Sequence, residues 1–344
     1  MKFLMASSPG FVKQSVLVHL AAGIGNVVLA TPLLVAMNEL GFAVDVWLSA
    51  DYPQTAHLLQ PWSALREVFT GSAPPLFNRY AHVIPAIPPF YWRRFGLRFA
   101  GVANLVRRPP DSLFYNDEQE FYLSFARVLG YPVERKPFYT LPIAPDDSFD
   151  VTLRTVVLVP GCKTGEMAAK RWPYFPQLAD VFEDVVIVGT SDDLRRDDGV
   201  MLSFPTHARS FVNRLTLRQT AELMAAAGLV VGNDSGLSHV AAASGTPCIM
   251  IFGPTPHQVL GQLPPHVTVV RRGLKCEPCW YQSRLQACAR RVDCLRELSV
   301  QLVAQVVLEN GAETPRRFKL VGHASPKAGL ETTKGCPAES TASR

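Results

Sequence analysis

A short polar turn after an apolar run is the clearest candidate for a chemical site in this sequence. Residues 229–232 are apolar, residues 233–238 are small and polar apart from Leu237, and an Ala-rich helical segment follows. Ligands of open α/β sheets bind at the carboxyl ends of strands, and the free N–H groups at a helix N-terminus attract phosphate. The pattern therefore predicts a phosphate-bearing ligand near Asp234 and His239. The alternative is that Asp234 only caps the helix.

Two further polar loops follow apolar runs. The run 248–252 ends in the small residues 253–256, so two neighbouring strand ends would form a crevice. The run 155–159 ends in the Gly-containing loop 160–165, and Lys170 with a following Arg comes next. Backbone N–H groups beside Lys and Arg form a general clamp for a diphosphate. Neither the P-loop pattern nor the dinucleotide G-x-G-x-x-G fingerprint occurs.

The cysteines pose a separate question, because four of the seven lie between residues 276 and 294. Cys276 and Cys279 form a C-x-x-C pair, and Cys288 and Cys294 follow. This number and spacing of cysteines is typical of a tetrahedral thiolate site for structural zinc or iron, in which four protein ligands leave no open coordination position. No clear signal peptide is present, so we expect a reducing cytosol, which disfavours disulfides. Free or redox-paired thiols are the alternative.

Strands and helices must position these candidate residues. Apolar runs alternate with segments of helical periodicity through most of the chain. Such alternation predicts an α/β protein with parallel, doubly wound sheets. Region 132–154 has four prolines and predicts a linker between two domains, 1–150 and 151–310. The predicted strands are 15–21, 43–48, 82–85, 155–159, 184–189, 229–232, 248–252 and 267–270. The predicted helices are 31–40, 54–60, 117–129, 175–182, 216–227, 236–244 and 299–309.

Length and composition agree with two globular domains. The chain has 344 residues, of which 48% are hydrophobic and 18% charged, and this excludes a wholly disordered or polyelectrolyte protein. Its net charge of +5, with 25 Arg and 9 Lys, predicts anionic ligands rather than nucleic acid. The stretch from Gln14 to Asn38 carries no charge. Glycines and Thr31-Pro32 interrupt it, so we predict a strand, a turn and a helix rather than a membrane span.

Two segments depart from the alternating pattern. The stretch 72–114 is rich in Pro and aromatic residues and holds Arg pairs at 93–94 and 107–108. It is interpreted either as a loop packed on the core or as a basic-aromatic surface for an anionic or lipid-bearing acceptor. Residues 311–344 are rich in Ser, Thr, Pro, Lys and Gly, which predicts a disordered tail.

Taken in chain order, five of these segments resemble glycosyltransferase family 9, whose best-known members are the ADP-heptose:lipopolysaccharide heptosyltransferases. The resemblance spans roughly residues 15–310 and implies a GT-B fold, in which two Rossmann-like domains face each other across a cleft. The N-terminal domain would hold the acceptor and the C-terminal domain the nucleotide sugar. The matching segments are Gly25-Asn26-Val27-Val28-Leu29-Ala30-Thr31-Pro32, Pro160-Gly161 to Lys170-Arg171-Trp172-Pro173, Leu215-Thr216-Leu217, Asn233-Asp234-Ser235-Gly236-Leu237-Ser238-His239 and Phe252-Gly253-Pro254-Thr255.

The resemblance also implies a reaction. An inverting enzyme without a catalytic cofactor or metal would move a heptose or related sugar from a nucleotide-diphosphate donor, ADP-heptose in the family, to lipopolysaccharide core or a related glycan. Such an enzyme would be cytoplasmic, with peripheral contact at the inner face of the membrane. Lys170 and the helix after Asp234 would stabilise the departing diphosphate. The donor-contacting residues are then Gly161, Thr164, Lys170, Asp234, Ser235, Gly236, His239, Gly253 and Thr255.

The sequence departs from the family at the expected catalytic base. Many members carry Asp directly after the glycine of the first motif, but here that residue is Asn26, and an amide has no useful basicity. Asn26 would instead orient an acceptor hydroxyl. The segment 117–129 resembles the family segment that lines the cleft, which favours Glu118 or Glu120 as the base, and we select Glu120 as the candidate. The other possible bases are Asp51, Asp117 and His19.

Two other functions stay open at this point. The same fold could modify a protein or a small metabolite, which the cysteine cluster supports. A non-catalytic nucleotide-sugar-binding protein is the second alternative, and Asn26 motivates it.

Overall fold

The computed structural model describes residues 14–48, 53–71, 74–163, 165–196, 199–279, 288, 292–311 and 331–334. It contains two separate β-sheets, one built before residue 150 and one after it, each packed against helices. The α/β class predicted from alternating apolar runs and helical segments is therefore confirmed.

The first sheet has four strands that are all parallel. They are β1 (Ser15–Leu20), β2 (Ala43–Leu48), β3 (Leu65–Thr70) and β4 (His82–Ala86). Their order across the sheet is β3-β2-β1-β4. In register, Leu20 lies opposite Leu48 on one side and Ala86 on the other, so the carboxyl ends of three strands meet at one edge.

The second sheet has seven strands in the described part of the chain. They are β5 (Val156–Val159), β6 (Val185–Ile187), β7 (Arg209–Ser210), β8 (Leu229–Asn233), β9 (Cys248–Ile251), β10 (Val267–Arg271) and β11 (Glu331–Lys334). Their order is β11-β10-β9-β8-β5-β6-β7, and among these described strands only the β10–β11 pair is antiparallel. Strands β5, β8 and β9 are buried along their whole length, as parallel strands covered on both faces must be.

Eleven α-helices cover the sheets in the described residues. They are α1 (Ile24–Leu29), α2 (Thr31–Glu39), α3 (Ala56–Leu59), α4 (Pro89–Phe95), α5 (Asp111–Phe114), α6 (Glu118–Val128), α7 (Phe175–Ala179), α8 (Leu217–Ala226), α9 (Gly236–Ala243), α10 (Asp293–Arg296) and α11 (Val300–Glu309). Side-chain caps fix the N-termini of several helices. The Asp117 carboxylate accepts the Glu120 N–H at 2.9 Å, and Thr216 forms a capping box with Gln219.

Several short elements, including α4, α5, α10 and β7, were not predicted from the sequence, and three further differences have a clear physical reason. The Gly-rich segment predicted as a turn after β1 is the first turn of α1, which begins directly after Gly23. Strand β3 was not predicted, because it is a half-exposed edge strand that includes Arg66 and Glu67 and lacks an apolar run. The predicted disordered tail is wrong at residues 331–334, because they pair with β10.

The two halves share a continuous hydrophobic core, in which Val16 and Leu34 of the first half belong to the same cluster as Val240 and Met250 of the second. Helices α1 and α9 meet at the centre of this junction. A Cβ on Gly236 would lie 3.0 Å from the Cβ of Ile24, so glycine at this position permits the close approach. Among the described residues, no helix is both long enough and apolar enough to cross a membrane.

Candidate active site

A cleft of about 560 Å³ lies at the junction of the two sheets. Its walls come from the segments after β1, β5, β6, β8 and β9 and from α6, so it occupies the carboxyl edge of both sheets. This is where open α/β sheets bind ligands, because the strands end there and their loops diverge. The predicted site residues that line the cleft are Asn26, Gly161, Lys170, Asp234, Ser235, Gly236, His239 and Thr255.

A buried charge cluster forms the wall contributed by the second sheet. Asp234 follows β8 directly, and its Oδ2 accepts hydrogen bonds from Lys170 Nζ at 2.5 Å and from Thr255 Oγ1 at 2.8 Å. His239 Nε2 lies 3.7 Å from Oδ1 of the same carboxylate. Burial alone raises the pKa of Asp234, but Lys170 and His239 outweigh burial and hold that pKa well below its usual range. The carboxylate is therefore ionised where it contacts Lys170 in the cleft.

Asn233 joins the strand end to the loop that carries Lys170. Its Oδ1 accepts the backbone N–H of Trp172 at 2.9 Å, and its Nδ2 donates to the Pro160 carbonyl at 2.6 Å. The side chain is fully buried, so each bond is shielded from water. Asn233 was part of the predicted turn, but its role in holding two loops together was not predicted, because both partners are distant in sequence.

On the opposite wall, Asn26 of α1 and Glu118 of α6 form a second pair. Asn26 Nδ2 donates to Glu118 Oε1 at 2.7 Å, and Tyr122 OH donates to the same oxygen at 3.3 Å. Glu118 lines the cleft but is only 5% exposed. Burial raises its pKa to about 7, against the lowering effect of these two hydrogen bonds, and the charge of Asp234 adds to the increase. A carboxyl group of this kind exchanges protons near neutral pH.

The structure contradicts the prediction that Glu120 is the base. Glu120 accepts hydrogen bonds from Arg127 at 3.1 Å and 3.2 Å and lies 3.7 Å from Lys136 Nζ. Within the described chain it is not among the residues that line the cleft. Residues two apart on a helix point in nearly opposite directions, so one α6 can present only Glu118 or Glu120 to the cleft.

Gly253 is also placed differently from its prediction as a donor contact. It is absent from the described cleft lining, and a Cβ there would lie 2.7 Å from Leu295 Cγ and 3.2 Å from Cys294 Sγ. Glycine is needed for packing at this position. Thr164, which was also predicted to contact the donor, lies outside the described residues.

The remaining base candidates are engaged elsewhere or are outside the described residues. His19 is fully buried, and its ring packs at a tilt against Trp47 with centroids 4.0 Å apart; burial lowers its pKa to about 3. Asp117 caps α6. Asp51 lies outside the described residues. Asp193, which was not among the predicted bases, also lines the cleft; its carboxylate accepts the Thr190 N–H at 2.8 Å and fills the space next to Gly161.

The cysteine cluster lies behind the β9 end of the cleft. Cys294 is buried, and burial raises its pKa, with the nearby charges of Glu277, Cys279, Cys288 and Cys276 adding to the increase. The other three cysteines of the cluster therefore lie in the neighbourhood of Cys294. Even so, no three His, Cys, Asp or Glu side chains are grouped as metal ligands in the described part of the chain.

The sequence of this chain is similar to those of known glycosyltransferases. The model of Glycosyltransferase family 9 (heptosyltransferase) matches residues 125–289. Lipooligosaccharide heptosyltransferase 2 of Haemophilus influenzae is 32% identical over 122 residues, which are 33% of this chain and 35% of that protein. This chain therefore matches about a third of the length of that curated relative.

Two solved structures have the same fold. Escherichia coli ADP-heptose lps heptosyltransferase II aligns with a TM-score of 0.60 and 18% identity, over 86% of this chain and 98% of that chain. The iron-containing dodecameric glycosyltransferase TibC from enterotoxigenic E. coli aligns with a TM-score of 0.62 and 18% identity, over 87% and 76% of the two chains. The predicted GT-B architecture is confirmed.

Proposed function

We propose that this chain is a member of glycosyltransferase family 9 and that it transfers a heptose from ADP-heptose to a lipopolysaccharide-core acceptor with inversion at the sugar C1. One observation carries the proposal. A carboxyl group that titrates near neutrality, Glu118, lies in the same cleft as the Lys170–Asp234 cluster, on the opposite wall. This arrangement separates a proton acceptor from a cationic site for a leaving group.

The Lys170 wall would receive the donor diphosphate. Lys170 is 7% exposed and already ordered by Asp234, so its charge needs little reorganisation when a phosphate arrives. The N-terminus of α9, which begins at Gly236 in the cleft lining, adds backbone N–H groups aimed at the same region. Negative charge develops on the diphosphate as the C1–O bond breaks. Lys170 and these N–H groups would stabilise it without a catalytic metal.

The Glu118 wall would receive the acceptor. In its ionised form Glu118 removes the proton of an acceptor hydroxyl, the new C1–O bond forms, and the electron pair of the broken bond leaves with ADP. Asn26 donates to one carboxylate oxygen and so orients the other toward the acceptor. Attack from the wall opposite the leaving group gives inversion. This assignment moves the base from the first motif, where Asn26 stands, to α6.

We propose heptose as the transferred sugar and adenine as the base of the donor nucleotide because of the names of the similar proteins. The matched curated relative is a lipooligosaccharide heptosyltransferase, and a structural neighbour of the same fold is named for ADP-heptose. The acceptor class rests on the same names. Glu118 weakens the alternative of a non-catalytic binding protein, because that alternative depended on the missing carboxylate at Asn26.

A structural zinc or iron at Cys276, Cys279, Cys288 and Cys294 remains a hypothesis. Four thiols are a suitable donor set, and a neighbour of the same fold contains iron. The described side chains are not arranged as a ligand group, so no step of the reaction is assigned to a metal there. Elemental analysis of the purified protein and of the Cys276→Ser variant tests the hypothesis; a stoichiometric metal lost in the variant supports it, and no metal in either refutes it.

The central test measures binding of the donor and transfer of the sugar to the acceptor. Calorimetry should show binding of ADP-heptose but weaker binding of GDP- and UDP-sugars, and mass spectrometry should show one heptose added to a truncated lipopolysaccharide core. Asp234→Asn should abolish both results, whereas the matched control Asp192→Asn, at an exposed position outside the described cleft lining, should change neither. Tight ADP-heptose binding without transfer to any glycan or protein would instead establish a binding protein.

A further inference from the structure

The two oxygens of the Glu118 carboxylate have different surroundings. Oε1 accepts two hydrogen bonds, from Asn26 Nδ2 at 2.7 Å and from Tyr122 OH at 3.3 Å. Oε2 accepts no hydrogen bond from the described residues, and the side chain lines the cleft. Because a carboxylate oxygen has two lone pairs, Oε1 is fully engaged and Oε2 is the oxygen that can take up a proton.

The two donors to Oε1 come from separate elements. Tyr122 and Glu118 lie four residues apart on α6, which places them on the same face of the helix. Helical side chains tilt toward the N-terminus, so the phenol of Tyr122 extends back toward the carboxylate one turn earlier. Asn26 belongs to α1. The carboxylate is therefore fixed both from within its own helix and from a neighbouring one.

The Tyr122 ring is held rigidly. It is 1% exposed, and its centroid lies 5.4 Å from that of Phe121 and 6.3 Å from that of Phe114, both edge to face. Burial, together with the neighbouring charge of Glu118, raises the pKa of the phenol well above its usual value. The hydroxyl therefore keeps its proton near neutral pH and donates it to the ionised carboxylate.

From this arrangement we infer that Tyr122 is a positioning residue for the sugar transfer: with Asn26 it occupies Oε1 of Glu118, so that Oε2 alone receives the proton of the acceptor hydroxyl. The inference rests on the proposed function and adds the atom that takes the proton. As the hydroxyl oxygen bonds to the sugar C1, its proton moves to Oε2, and the electron pair of the broken C1–O bond leaves with the diphosphate. Tyr122 is absent from the described cleft lining, so it acts through the carboxylate.

The hydrogen bond from Tyr122 also opposes two nearby negative charges. Asp117 precedes Glu118 in the chain, and Asp234 belongs to the opposite wall of the cleft; the charge of each raises the pKa of Glu118. The hydrogen bonds from Asn26 and Tyr122 lower the same pKa, because they favour the ionised form. Removing the Tyr122 hydroxyl should therefore move the pKa of Glu118 upward.

The test is Tyr122→Phe, which keeps the buried ring and removes only the hydroxyl. With one donor lost, the carboxylate rotates more freely, so kcat should fall roughly tenfold while ADP affinity in calorimetry is unchanged. The acidic limb of kcat/KM should move roughly 0.5 to 1 pH higher. Tyr131→Phe is the matched control, because the Tyr131 hydroxyl donates to Glu39 at 2.8 Å outside the described cleft lining. This control should alter neither kcat nor the pH profile.

The Glu118→Gln background separates this inference from the proposed function. Because Tyr122 acts through the carboxylate, Tyr122→Phe should lower kcat no further once Glu118→Gln is present. An equal loss in both backgrounds would overturn the inference, as would a reduced kcat in Tyr122→Phe with an unchanged pH profile. Impaired Glu118→Gln beside fully active Tyr122→Phe would refute the inference alone. Full activity of Glu118→Gln would refute the proposed base and this inference with it.

Discussion

Asn26 donates a 2.7 Å hydrogen bond to Glu118 across 92 residues of sequence. The bond joins the first motif, where the family commonly carries Asp, to the first turn of α6. It places an amide where a carboxylate was expected and a carboxylate directly beside it. A loss of basicity at one position is thus matched by a buried acid at a neighbouring one, within the same cleft.

Replacing this acid should remove the base but keep the site. Glu118→Gln retains the oxygen that accepts from Asn26, so we expect ADP affinity to be preserved while kcat falls roughly 10²- to 10⁴-fold. Steady-state transfer rates together with ADP calorimetry check this. Glu120→Gln is the matched control on the same helix and should keep near-normal kcat. Full activity in Glu118→Gln would exclude Glu118 as the base.

The pH dependence of the wild-type enzyme should report the same group. Because Glu118 acts when ionised and its pKa is about 7, kcat/KM should fall as pH decreases through 7, with a slope of one proton. The rate profile of Glu118→Gln should lack this limb. A wild-type profile that stays flat down to the ordinary glutamate pKa of 4.5 would contradict the assignment.

The raised pKa of Glu118 should also lower the free energy of unfolding at the pH at which Glu118 acts as a base. Its pKa is raised from 4.5 in the unfolded chain to about 7 in the folded one, so its favourable contribution is complete below 4.5 and is lost as pH rises to 7. The amide in Glu118→Gln does not ionise. We therefore expect the unfolding free energy of this variant to exceed that of wild type by about 3 kcal/mol above pH 7, and to match it below pH 4.5. Urea unfolding at both pH values measures the difference; a variant destabilised equally at both would argue against it.

The Lys170–Asp234 pair should behave as a coupled unit. Lys170→Met leaves the ionised Asp234 carboxylate buried without its cation and should destabilise the fold by about 3–5 kcal/mol. The double variant Lys170→Met/Asp234→Asn should lose less than the two single variants together. A double-mutant cycle by urea unfolding gives the coupling free energy. Strict additivity would mean that the 2.5 Å contact contributes nothing.

Gln119 should position Glu118 without touching substrate. Its Nε2 donates to the carbonyls of Leu260 at 2.6 Å and Gln262 at 2.9 Å, so it fastens α6 to the loop after β9. Gln119→Leu should lower kcat roughly 10- to 100-fold with little change in ADP affinity, and should move the acidic limb of the rate profile as water reaches Glu118. Gln305→Leu, whose amide bonds only locally to Glu309 in the described chain, is the control. An unchanged pH profile with a reduced melting temperature would indicate a purely structural role.

The sequence by itself determined the local features of this protein. Fully buried strands such as β5 and β8 appear as short apolar runs, and the polar turn at Asp234 follows β8 directly, so strand, turn and helix could be predicted from neighbouring residues. The convergence of those turns at one edge followed from the parallel arrangement. Motif resemblance added the fold and the donor side, including Lys170 and Thr255, which do line the cleft.

Tertiary structure decided what depends on the rotation of an element or on partners far away in sequence. Glu118 and Glu120 are equally plausible in the sequence of α6. Gln119 binding to the 260–262 loop and Arg127 binding to Glu120 set the rotation that turns Glu118 into the cleft. The same applies to Gly253, which packs on Leu295, and to β11, which needs the edge of β10. A side chain's environment, and therefore its pKa, is set by contacts that sequence spacing does not encode.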